Sequence, residues 1–196
     1  MSNFRHIRFQ NIEETDLLDF IVSKHHVYAK SMLLLMHKNF KSAIYSNPRH
    51  RAVLQDLICL VVQLNNQING LINLQESSLF PFVRKLVEVQ RQPDPVRFLN
   101  TGLMLSCINQ IIEEHDHIIA LLHSIQKISN NYTPPELSNE LMKLCYAELQ
   151  EFEEIVMNQL KRERKFLFPK IKALEDCVLQ ISSLAATGTS GPGYDD

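Results

Sequence analysis

The segment Leu79-Phe80-Pro81-Phe82-Val83-Arg84-Lys85-Leu86 returns as Leu167-Phe168-Pro169-Lys170-Ile171-Lys172-Ala173-Leu174, every position advanced by 88 (79 to 167, 86 to 174). Upstream of each copy lie two long stretches with helical apolar periodicity and few breakers, so each half reads as one helical hairpin ending in Leu-Phe-Pro. The first helices of the halves match at nearly the same offset, Lys24-His25 against Glu114-His115. Two such hairpins predict an all-α fold, an antiparallel up-down four-helix bundle with a pseudo-twofold internal repeat.

Breaker residues set the expected boundaries. Thr15 caps a first helix that runs to Ser46, where Asn47-Pro48 stops it. A second runs from His50 to the Gln75 to Ser78 region, Leu79-Phe80-Pro81 bends the chain, and a short continuation reaches Val89. Arg91 to Pro95, with Pro93 and Pro95, links the halves. The third helix spans Val96 to Ser129. After the loop that begins at Asn130, Thr133 is the expected cap, Pro134 the first helical position and Glu136 the end of a capping box. The fourth helix reaches Lys165, and a short segment follows Pro169. The bundle is expected over 13–175, with halves 13–90 and 96–175, and the small polar stretch 185–196 as a disordered tail.

Composition excludes the main alternatives. Of five glycines in 196 residues, three (Gly188, Gly191, Gly193) lie in the last nine, which leaves Gly70 and Gly102 for everything before. Turn-rich β folds and nucleotide-binding α/β folds depend on glycine, so both are disfavoured. A net charge of -2, from 20 basic and 22 acidic residues without single-signed blocks, argues against nucleic acid or an anionic membrane as partner. The start MSNFRHIRFQ has no apolar signal core, and the strongly apolar runs Leu57 to Val62 and Met32 to Met36 are too short to cross a bilayer; a cytoplasmic protein is expected. Cys59, Cys107, Cys145 and Cys177 lie tens of residues apart and read as buried core thiols.

The chemistry sits on the interior stripes. Spacing of three and four places Leu18, Ile21, His25, Tyr28, Met32 and Leu35 on the inner face of the first helix. On the third it places Ile108, Ile111, His115, Ile118, Leu122 and Ile125. The second carries His50, Leu54, Leu57, Val61, Leu64, Ile68, Leu71 and Gln75, and the fourth Leu141, Cys145, Glu148, Phe152, Val156, Gln159 and Glu163. His26, His117 and His123 fall off these stripes. Polar groups from all four helices thus converge on the interior, where each must be hydrogen-bonded or bind a cation. A metal site in the bundle core and a satisfied hydrogen-bond network both answer that demand.

This layout resembles the hemerythrin-like HHE domain family, closest to the di-iron domain of the iron-sulfur cluster repair proteins that respond to nitric oxide and oxidative damage. The resemblance rests on His25, His50, His115, Glu163, both Leu-Phe-Pro endings and the loop from Asn130 to Glu136. It implies iron as cofactor, held by single histidines from the first and third helices, another near the start of the second, and an HxxxE pair on the second and on the fourth. Here those pairs read Leu71/Gln75 and Gln159/Glu163, so one carboxylate stands where the family has more. Two ferrous ions would leave most of their charge uncompensated. Glu76 could stand in for Gln75 only where the helix distorts, because adjacent residues diverge by about 100°. Three readings follow: a di-iron or mixed-metal site in which His25, His115 and Glu163 are joined by unusual ligands from among His50, Glu76, Gln75 and Gln159; a single metal on His25, His115 and Glu163, open to nitric oxide or oxygen; or no metal, with Gln75 and Gln159 hydrogen-bonding the histidines and Glu163. The expected function is metal binding in the stress response, and the alternative is a metal-free helical interaction or regulatory module with a protein partner. No nucleophile-base pair or phosphate loop suggests ordinary hydrolytic or transfer catalysis.

Overall fold

A computed structural model describes residues 12–92 and 101–187. Four long helices pack against one another around a continuous apolar core. Helix α1 comprises Glu14–Phe20, a π-helical turn Ile21–His26 and Val27–Ser46. Helix α2 opens with the 3-10 turn Pro48–His50 and continues through Arg51–Leu74, a π turn Gln75–Leu79 and Phe80–Arg91. Helix α3 is Thr101–Ile128, and α4 comprises Glu140–Arg162, a π turn Glu163–Leu167 and Phe168–Thr187. The expected stop at Asn47-Pro48 is where α1 ends, and Asn47 caps it by donating its side-chain amide to Ala43 O (2.9 Å).

The Leu-Phe-Pro segments do something other than bend the chain. A proline inside a helix has no N–H to give, and its ring strikes the carbonyl four residues back. Both helices widen just before the proline: Phe80 N–H bonds Gln75 O and Phe168 N–H bonds Glu163 O, each five residues back. The helices then continue, α2 to Arg91 and α4 to Thr187, beyond the expected ends at Val89 and Lys165. The two π turns are themselves 88 apart, so the internal repeat holds at the level of a local helical defect.

The π turn of α1 has no counterpart in α3 and corrects the expected stripe. Leu18, Ile21 and His25 are buried, but from there every inner position lies one residue later than straight helical spacing predicts. Ala29, Leu33 and Met36 are buried in place of Tyr28, Met32 and Leu35, and Leu35 is exposed. His26 is buried as well, against its expected place off the stripe. Where the helix is regular the stripes hold. Ile108, Ile111, His115, Ile118, Leu122 and Ile125 on α3 are buried, as are Leu54 to Leu71 and Gln75 at the expected positions of α2.

Other local expectations are also corrected. Helix α1 starts at Glu14, with Glu13 rather than Thr15 at its cap position. Helix α4 starts at Glu140, not at Pro134, because Leu137 adopts a left-handed backbone conformation (φ 62°) that interrupts any helix begun at Pro134. Its cap is Asn139, whose Oδ1 accepts from Met142 N–H (2.9 Å) and from Asn47 Nδ2 (3.1 Å), joining that end of α1 to α4. Of the cysteines only Cys145 is buried; Cys59 sits off the Leu57 to Val61 stripe and is exposed. By length and composition α2 could cross a membrane, although its apolar stripe here faces the other helices. Pro93, Pro95, the start of the third helix at Val96 and the stretch 188–196 lie outside the described residues, while 185–187 belongs to α4.

Two substitutions test this reading. An added Cβ at Gly70 would meet nothing within 4 Å, so Gly70→Ala should stabilise the fold by about 0.5–1 kcal/mol, read as an upward shift in thermal midpoint. Asn139→Ala should cost about 1–2 kcal/mol, whereas Thr133→Ala should leave the midpoint unchanged within error; the opposite ranking would restore Thr133 as the cap.

Candidate functional site: a four-helix polar network

Glu163 opens the π turn of α4 and is 2% exposed. An ionised carboxylate at that depth needs donors. Gln75 Nε2 donates to its Oε2 (2.7 Å) and Gln159 Nε2 to its Oε1 (2.7 Å). His115 Nε2 lies 3.1 Å from Oε2, in contact but off the hydrogen-bond direction. Burial pushes the Glu163 carboxyl up, but His115 and the two amides together outweigh it and hold it below the usual carboxylate range.

The network continues to α1 through the other end of the Gln75 amide. With its NH2 committed to Glu163, Gln75 presents Oε1 to His26 Nε2 (2.9 Å), while His26 Nδ1 meets Glu76 Oε1 at 2.7 Å. Both ring nitrogens thus face oxygens, one of an amide and one of a carboxylate. On the other side Arg164 Nε donates to His115 Nδ1 (3.3 Å), which leaves the His115 proton on Nε2, toward Glu163. Arg164 is fixed by Ile112 O (2.9 Å) and Asp116 Oδ1 (2.7 Å), and Lys30 stands 3.9 Å from Glu76. A continuous polar chain therefore runs Asp116, Arg164, His115, Glu163, Gln75, His26, Glu76, Lys30, exposed at both ends and buried between.

The repeat is visible in this chain, with its charges inverted. His26 stacks on Phe80 (5.9 Å between centroids) and His115 on Phe168 (5.7 Å). The true partner of His115 across the halves is thus His26, not His25, and the earlier pairing is corrected by the π turn that shifts α1. Gln75 and Glu163 correspond, and so do Glu76 and Arg164: where one half turns a carboxylate to its histidine, the other turns a guanidinium. The chain carries three carboxylates, Asp116, Glu163 and Glu76, and the cations of Arg164 and Lys30.

The expected site residues divide accordingly. Glu163, His115, Gln75 and Gln159 come together. Glu76 joins through the outer nitrogen of His26 and does not reach Glu163, even with the π turn at Gln75. His50 is at the far end of the bundle, where its Nε2 meets Glu136 O (3.1 Å). His25 is buried beside the network, its imidazole pushed down to about 4, mainly by burial, with Glu163 opposing. His26 was missed because periodicity alone does not announce a π turn. The adjacent pair His25-His26 was the available signal, since a helix buries neighbours together most readily where it is distorted.

Next to the network, and lined by residues of all four helices, lies a cavity of about 50 Å³ walled by Ile68, Leu71, Ile118 and Val156 together with His25, Gln75, Gln159 and Glu163. The polar donor set does not fit an iron pair. Both oxygens of the one carboxylate receive amide hydrogens, and among the described residues no group of three or more His, Cys, Asp or Glu is placed to hold a metal ion. No family model matches the chain, and no curated protein matches it.

The pH dependence of stability follows from His25. Unfolded, it takes up a proton near 6.5; folded, it refuses one until about 4. Its contribution is present above the unfolded value and is lost as pH falls through that window, by at most about 3 kcal/mol. Glu163, held low, loses its contribution only in more acid solution. The urea midpoint should therefore fall between about pH 7.5 and pH 5, and His25→Gln should flatten that fall. An equal slope in the variant would remove His25 as its source.

Proposed function

We propose that the chain is a hemerythrin-like bundle, related to the iron-sulfur cluster repair di-iron proteins, in which a hydrogen-bond network replaces the metal ligands. It acts as a metal-free regulatory or interaction module. One observation carries this reading: the amide hydrogens of Gln75 and Gln159 are spent on the two oxygens of Glu163, the group that would otherwise bind a cation. A glutamine can coordinate only through its carbonyl oxygen, and Gln75 has given that atom to His26.

The charge balance supports the same reading. A metal at Glu163 would have to displace two amide donors and tolerate the Arg164 guanidinium behind His115. Val27 and Leu34, exposed and seven residues apart on α1, give the module an outer apolar face on which a protein partner could rest.

Protein purified without oxygen and reconstituted with ferrous iron should hold no more than a substoichiometric trace after desalting. Two irons per chain would overturn the proposal in favour of an unusual metal site. The triple variant Leu71→His, Gln75→Glu, Gln159→His should gain iron, with circular dichroism confirming that it is folded. A folded variant that gains none would break the proposed correspondence with the family's ligand positions.

A further inference from the structure

We propose that the cavity beside the network is a binding site for a small apolar molecule of a few heavy atoms. This names a ligand class for the module proposed above, and it rests on that reading in one respect: a metal would draw Gln75, Gln159 and Glu163 into its coordination sphere and reshape the cavity wall.

Size comes first. About 10–15 Å³ of such volume admits one water-sized probe, so a cavity of about 50 Å³ takes a molecule several times larger than water and smaller than an aromatic ring with substituents. Polarity comes second. Ala29, Ile68, Leu71, Ile72, Ile118 and Val156 supply aliphatic walls. Three of the polar side chains at the same site have turned their polar atoms elsewhere: Gln75 uses both ends of its amide, Glu163 both oxygens and His26 both nitrogens. The other polar atoms on this wall, Gln159 Oε1, Tyr28 Oη and His25 Nε2, are closed off from a water-sized probe and offer nothing to an occupant. A water held in a buried cavity needs two to four polar partners, and this wall does not present them. An apolar occupant loses no hydrogen bonds on entry and gains dispersion contacts with the packed wall.

Access comes third. Among the lining residues only Tyr28 and Ile155 are half-exposed, so the mouth lies between them at the seam of α1 and α4. Tyr28 stacks on Phe152 (6.3 Å), which fixes one side of that mouth. An occupant would press on the carbon faces of Gln75 and Gln159, the two side chains that hold Glu163, so occupancy is coupled by contact to the polar chain.

Xenon is the probe, applied to full-length protein with carbon-13-labelled isoleucine methyls and followed by NMR. Saturable shifts are expected at Ile68, Ile72 and Ile118, with none at Ile44 at the far end of α1. Leu71→Phe, which fills the cavity, should abolish them. Because an overfilled core can fail to fold, Ile155→Trp at the half-exposed mouth is the second variant, and it should slow or block entry while the fold persists. Absence of saturable shifts in the wild-type protein, or shifts spread evenly over all isoleucines, would overturn the site. Elemental analysis of the same sample separates the outcomes. A metal-free sample without a xenon response defeats this inference alone, whereas a sample carrying stoichiometric iron defeats the reading beneath it.

Discussion

An ionised carboxylate in the middle of an apolar bundle has to be compensated from every side, and Glu163 sets that demand for the whole molecule. Its amide donors come from α2 and its own helix, His115 of α3 lies against it, and through Gln75 the demand passes to His26 on α1. Each partner then acquires a fixed orientation, because an amide or imidazole that serves one neighbour has a defined end left for the next. Apolar packing alone would let four helices settle in several registers. The polar chain admits only the one in which these side chains meet.

That dependence explains which parts of the structure could be read from the amino-acid sequence. The stripes of α3 and α4 were legible through regular spacing, and they correctly placed Ile108 to Ile125, Glu148, Gln159 and Glu163 inside. The stop at Asn47-Pro48 was legible because proline acts locally. What escaped was long-range or irregular. His26 and the shifted run Ala29, Leu33, Met36 depend on a π turn in α1 that no local breaker marks. Likewise the start of α4 was misplaced because Thr133-Pro134-Pro135-Glu136 satisfies a capping pattern, whereas the left-handed Leu137 and the Asn47 to Asn139 contact put the start at Glu140.

The internal repeat supplies a second lesson about the site. Two equivalent halves would place equal charges at equivalent positions, and equal charges facing each other in a core repel. Here the equivalent positions have diverged in complementary directions, glutamine against glutamate and glutamate against arginine. The halves keep the same aromatic seat for each histidine, Phe80 and Phe168, so the geometry is conserved between them while the electrostatics is divided.

The bundle is fastened at two levels by different chemistry. At one end, Asn47 and Asn139 are joined by amide hydrogen bonds, which carry no charge and do not titrate. Part-way along the helices the fastening is a polar chain that contains the ionised Glu163 and Arg164 and reaches solvent at Asp116 and Lys30. Acid strong enough to protonate Glu163 weakens the second and leaves the amide pair untouched, so the molecule has a chemical direction along its long axis that its internal repeat does not share.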